Sequence, residues 1–135
     1  MKPYPIRSES EPDTMNLVSD SLAGVYANAF FDVAAESGFT GQKLASLFHT
    51  SLKTLQRYFK DKKRLDPAAS EHILRLSHMY KQGKEVFGSI TEFEQWLQVP
   101  AFGLNGHIPF KLLETPSGVA LVADELTRIA FGDLS

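Results

Sequence analysis

Residues 42–65, QKLASLFHTSLKTLQRYFKDKKRL, constrain the fold of this chain more than any other stretch. Two short helical patterns lie in it. The first runs from Gln42 to Phe48, with Leu44, Ala45, Leu47 and Phe48 apolar; the second runs from Ser51 to Phe59, with Leu52, Leu55, Tyr58 and Phe59 on the recurring face. His49, Thr50 and Ser51 separate them. Helices this short are not stable alone, so they must cross each other and lean on a neighbour. That is the layout of a helix-turn-helix, whose second helix lies in the DNA major groove.

The second helix has the chemistry for that role. Ser51 is a natural N-cap whose hydroxyl can accept the amide of Lys53 or Thr54. Lys53, Thr54, Gln56 and Arg57 then fall off the Leu52, Leu55, Phe59 face. Arg and Gln read guanine and adenine edges by paired hydrogen bonds, while Lys and Thr reach bases or phosphates. Beyond the helix, Lys60-Asp61-Lys62-Lys63-Arg64 is placed to meet the flanking backbone. The pattern alone also fits an ordinary helical hairpin with a solvated face.

Charge separates these readings. The whole chain has a formal net charge of -2, which says nothing for nucleic acid. Residues 43–84, however, carry ten Lys or Arg against three Asp or Glu, a net of +7. Residues 1–42 carry two basic against six acidic residues, and residues 85–135 two against seven. One basic module thus lies between two acidic segments, and a basic face is the electrostatic footprint of phosphate contact. The acidic C-terminal part is better suited to a protein partner.

With 135 residues and 43% hydrophobic composition, the chain fits one domain or two small helical ones. It has no cysteine, which excludes a disulfide framework and thiolate metal sites. No apolar run approaches the roughly 18 residues of a membrane span, and the N-terminus lacks a basic region followed by an apolar core. The expectation is a soluble, cytoplasmic protein without a membrane partner.

Residues 1–16, with three prolines and little periodicity, read as a flexible tail, with Asn16 a candidate cap for the next element. From Leu17 to Ser37 the apolar spacing is helical, with a break expected near Gly24 and a left-handed cap at Gly38. Asp66-Pro67 is an N-cap followed by proline at the first helical position, opening a helix to about Gly83. Ser70 and Arg75 lie on or near its edges, and His72 and His78 read as surface or edge histidines. Gly83 and Gly88 bracket a turn or a continuation after a bend. Ser89 or Thr91 caps a helix through Gln98, with Glu94 at capping-box spacing from Thr91 and Trp96 as a core anchor. The loop PAFGLNGHIP takes its shape from backbone demands. Thr115-Pro116 starts a last helix to about Ala130, with Val119, Val122, Ala123, Leu126 and Ile129 apolar. The modules are therefore 17–83 and 84–135.

No catalytic constellation is present: there is no nucleophile elbow, phosphate-cradling glycine loop or HExxH. Neither histidine of the 67–83 helix has a partner at ligand spacing. No catalytic residue, metal ligand or cofactor is assigned.

Several stretches together resemble a known family. In the first module they are Leu44-Ala45, Ser51 through Arg57, Arg64-Leu65-Asp66-Pro67, and the Ser70, Ile73, Arg75, Leu76 series. In the second they are Val86-Phe87-Gly88, Trp96-Leu97, Pro100, Leu104-Asn105-Gly106 and Pro109. Leu112-Leu113, Thr115, Gly118, Val122, Leu126, Ile129 and Gly132 complete the set. This ordered signature resembles the Xre-like antitoxins of the MbcA/ParS type, bacterial partners of RES-domain toxins, over about residues 25–135.

The resemblance implies an all-α, two-module antitoxin. Its helix-turn-helix would bind operator DNA and repress its own operon through Ser51, Lys53, Thr54, Gln56, Arg57, Lys60, Lys62, Lys63 and Arg64. Its C-terminal module would hold inactive a RES-domain toxin of the type that resembles ADP-ribosyltransferases and degrades NAD. Related antitoxins place their C-terminal end at the toxin's active-site entrance, which carries toxin contact to Arg128, Phe131, Gly132, Asp133, Leu134 and Ser135. An acidic module ending in Phe131 and Leu134 suits a basic, anion-binding cleft. Operator symmetry implies a homodimer within a larger toxin-antitoxin assembly. One departure stands out: Lys60-Asp61-Lys62-Lys63 replaces the usual glycine-containing turn. Two alternatives are a free-standing transcriptional regulator without a toxin and an adaptor whose basic helices meet an acidic protein.

Overall fold

The computed structural model describes residues 14–132. Their secondary structure is helical: α1 (Thr14–Ala23), α2 (Asn28–Glu36), α3 (Gly41–Ser46), α4 (Leu52–Lys60), α5 (Pro67–Phe87), α6 (Ile90–Leu97) and α7 (Pro116–Ala130). Two 3₁₀ turns, Phe102–Leu104 and Pro109–Leu112, link α6 to α7. Among the described residues the sole β feature is one antiparallel bridge between Tyr26 and Arg64.

Local chemistry explains most boundaries. Thr40, Ser51, Asp66, Ser89 and Thr115 each cap the following helix by accepting the amide three residues on. Pro67 and Pro116 follow their caps in the first turn. The helical stretch from Leu17 breaks at Gly24, whose φ of 83° takes the chain out of α1. A side chain there would also press on the Leu65 carbonyl.

The 21-residue α5 is the axis of the molecule, and α1, α2, α6 and α7 all pack against it. One hydrophobic cluster runs through all of it. Phe30, Val33, Leu44 and Ala45 meet Ile73, Leu76, Met79 and Tyr80, which in turn meet Phe93, Leu97, Val119, Val122 and Leu126. At about 25 cal/mol per Å² of apolar area removed from water, this continuous burial is the principal force holding the two halves together.

Several positions differ from the sequence expectations, most of them through a distant partner or a neighbouring cap. Residues 14–16 belong to α1, so Asn16 lies inside a helix rather than at its cap. Gly38 is not a left-handed cap, since Ser37 ends α2 in an extended conformation. The Gly38 amide instead donates to the Glu94 carboxylate. That contact also removes Glu94 from a capping box: Ser89 is the cap and accepts from Glu92. Of the two readings at Gly83 the structure has the continuation: α5 runs on to Phe87 and ends at left-handed Gly88.

Ser70 and His72, expected at edges or on the surface, are buried. The Ser70 hydroxyl accepts from the Val25 amide at 2.9 Å and lies 3.2 Å from the Leu65 carbonyl, to which it donates. It thereby ties the α1–α2 connection and the segment after α4 to α5. His72 lies under Phe48, with Nε2 2.7 Å from the Leu113 carbonyl. A carbonyl can only accept, so Nε2 carries the proton. Burial lowers the His72 pKa from its ordinary value and His49 adds to this, against the Leu113 bond and Glu71.

Candidate nucleic-acid interface

The crossing of α3 and α4 is made by the residues the pattern singled out. Leu44, Ala45 and Leu47 are buried on the α3 side and Leu55 on the α4 side. Leu52 packs over Gly41 at 3.1 Å from where a Cβ would stand. Phe59 lies edge-on to Phe31 of α2, with ring centroids 5.3 Å apart. The turn between the helices passes through His49 in a left-handed conformation, φ 55°. These contacts hold α4 along one side only, and its other side faces solvent.

Lys53, Gln56, Arg57 and Lys60 are exposed on that outer side. Four long donor-bearing side chains on a helix of nine residues can reach base edges and phosphates together. Ser51 and Thr54 are placed differently. The Ser51 hydroxyl accepts the Thr54 amide at 3.1 Å and lies 3.0 Å from the Thr54 hydroxyl. Thr54 is half-buried and lines a cleft of about 320 Å³ beneath α4, floored by Phe30, Phe48, Leu55 and Ile73. The local task of this pair is to start the helix.

The cationic turn after α4 is also sorted by the structure. Lys63 donates its amide to the Tyr58 carbonyl at 2.9 Å and Lys62 to that of Phe59 at 3.3 Å, closing a Schellman turn around left-handed Lys62. The position where glycine is usual thus keeps its conformation while carrying a charge. Arg64, although exposed, folds back onto the chain instead. Its Nη1 donates to the Gly24 carbonyl at 2.9 Å, and its guanidinium lies 4.6 Å from the centre of the Tyr26 ring. Arg64 therefore fastens the end of α1 to the segment leaving α4. In the sequence Tyr26 reads as one apolar residue of the helical Leu17–Ser37 stretch, with nothing to point to an arginine 38 residues away.

The second candidate surface lies at the far end of α7. Arg128 pairs through Nε with Glu125 Oε1 at 2.8 Å, and the Glu125 carboxylate is almost wholly buried. Phe131 caps the helix and is exposed, and Gly132 turns the chain through a φ of 74°. Asp133, Leu134 and Ser135 lie outside the described residues. Gln82 of α5 seats this helix by donating to Thr127 Oγ1 at 2.8 Å and to the Ala123 carbonyl at 3.3 Å. Among the described residues no group of three or more His, Cys, Asp or Glu is arranged for a metal ion. No helix there is long and apolar enough to cross a membrane.

An antitoxin Xre-like helix-turn-helix domain matches residues 17–78, and an antitoxin Xre/MbcA/ParS C-terminal toxin-binding domain matches residues 82–132. The chain belongs to the Xre/MbcA/ParS antitoxins. It is an antitoxin of a toxin-antitoxin pair, built from a helix-turn-helix DNA-binding domain and a toxin-binding domain. No curated protein matches the chain. The two matched domains meet within α5, so in this antitoxin the partner-binding half and the DNA-binding half share one helix and one core.

Proposed function

We propose that this antitoxin neutralises a RES-domain, NAD-degrading toxin by direct binding, with its C-terminal end occluding the toxin's active-site entrance, and that it represses its own operon. The observation that carries this reading is the separation of two unlike surfaces on one body. The outer side of α4 presents Lys53, Gln56, Arg57 and Lys60 from a basic segment. At the other end, α7 closes an acidic segment and stops at exposed Phe131. A cationic reading helix suits operator DNA, and an acidic, apolar-tipped end suits a basic cleft built for an anionic cofactor such as NAD.

In this reading the division of labour falls near Gly83. Arg57 and Gln56 read base edges, and Lys53, Lys60, Lys62 and Lys63 hold phosphates. Arg128, Phe131 and Gly132, with Asp133, Leu134 and Ser135, meet the toxin. Two copies related by a two-fold axis read a pseudo-palindromic operator as a homodimer in the cytoplasm. The test is removal of Phe131–Ser135. The shortened protein is expected to keep its thermal transition and its operator affinity but to leave the toxin free to consume NAD. Full inhibition by the shortened protein contradicts the occlusion mechanism.

A further inference from the structure

The most exposed large hydrophobic side chain among the described residues is Phe102, at 95%. Its exposure does not come from a slack loop. The segment from Ala101 to His107 is closed at both ends: the Ala101 amide donates to the His107 carbonyl at 3.0 Å and the Gly106 amide to the Ala101 carbonyl at 2.9 Å. Ala101 and Leu104, on either side of the phenylalanine, are buried in the core. Asn105 and Gly106 take successive left-handed conformations, which fix the turn. Gly103 lies flat against the Glu125 carboxylate, where any Cβ would collide. The loop is thus a rigid mount, and its one large apolar side chain without cover is an aromatic ring.

Glu125 connects this mount to α7. It pairs with Arg128, and Leu121 lies one turn earlier on the same stripe, 53% exposed. The buried Glu125 carboxylate thus meets both Gly103, the neighbour of Phe102 in the chain, and Arg128, on a helix stripe that leads toward the C-terminal end of α7. An aromatic, an aliphatic and an arginine held on a preorganised surface are the composition of a binding hot spot, because little conformational freedom is lost on docking. The setting is acidic, with net -5 over residues 85–135, which disfavours phosphate and favours a protein.

We propose that Phe102 is an anchor residue for the toxin, inserting into an apolar socket on the toxin surface outside its active site, with Leu121 and Arg128 at its rim. The inference rests on the toxin-binding reading of the C-terminal module and deepens it. The toxin is gripped by two points, the C-terminal end and this loop. It is the toxin-binding domain that spans the loop, and the Leu121–Arg128 stripe is continuous with the end of α7.

The experiment compares wild type, Phe102→Ala and Phe102→Leu for binding to the purified toxin encoded beside this antitoxin. Truncation to alanine is expected to raise the Kd at least tenfold, and leucine, which keeps apolar bulk, to recover part of that loss. Thermal stability and operator affinity should not change, since the ring touches no core. Tight wild-type binding with the alanine variant within twofold overturns the inference and leaves the toxin-binding reading intact. Lost self-association with unchanged toxin affinity overturns it too, and assigns the ring to a second copy of this chain. Failure of the wild-type protein to bind the toxin overturns both.

Discussion

Replacing Gly83 with alanine tests the packing between the two halves, because helix propensity and tertiary structure predict opposite signs for it. Glycine inside a helix is about 1 kcal/mol less favourable than alanine, so an unencumbered Gly→Ala change in α5 would stabilise by that amount. Here a methyl group would fall within the ring of Phe93, which is 0% exposed. That ring cannot step aside easily, since Tyr80, Phe87 and Trp96 surround it with centroids 5.6, 6.0 and 6.1 Å away. Forcing a methyl into a filled core costs about 1–3 kcal/mol, and a trapped ring places this site at the upper end. Subtracting the propensity gain leaves a net loss of about 2 kcal/mol. With a urea slope near 2 kcal/mol per molar, the unfolding midpoint should drop by about 1 M. On a Phe93→Leu background the same change should become neutral or stabilising, the signature of direct coupling. A Gly83→Ala protein as stable as wild type, or more so, would refute the reasoning that the α5–α6 contact requires glycine.

Lys62→Gly should stabilise the fold by about 0.5–1 kcal/mol, because an L-residue is strained at a φ of 53° where glycine is not; equal or lower stability in a denaturant titration contradicts this. Burial lowers the folded-state pKa of His72 beneath its unfolded value of 6.5. The unfolded chain then binds the proton first, so stability is full above about pH 6.5 and falls as the pH drops through it, by at most about 1.4 kcal/mol per unit. His72→Gln, which can still donate to Leu113, should lose that component of the slope, and identical slopes in both proteins would refute the assignment. Arg57→Ala should weaken operator binding by about 1–3 kcal/mol at fixed salt if the guanidinium pairs with a base edge; unchanged affinity removes it from the reading set.

What the sequence disclosed and what it withheld divide by the range of the interaction. Ser51, Asp66-Pro67 and Thr115-Pro116 mark helix starts because a cap and its amide are three residues apart, and each does so in the structure. The α3–α4 pair and its exposed cations were legible for the same reason. Gly38 and Glu94 were misread because their bond spans 56 residues, and Ser70 and His72 because their partners lie 45 and 41 residues away. Gly83 reads as punctuation along the chain, yet its role is steric and belongs to Phe93. Phe102 gave no signal of its own, since an aromatic in an irregular loop has no register that says whether it is covered.

Restraint of an NAD-destroying partner is the function proposed for this antitoxin. Its most direct test is co-expression with the adjacent reading frame, affinity purification of the complex, and measurement of NAD before and after the antitoxin is stripped away. The expected result is a co-purifying protein that spares NAD in the complex and consumes it once released. A neighbour that fails to co-purify, or that leaves NAD untouched when free, contradicts it.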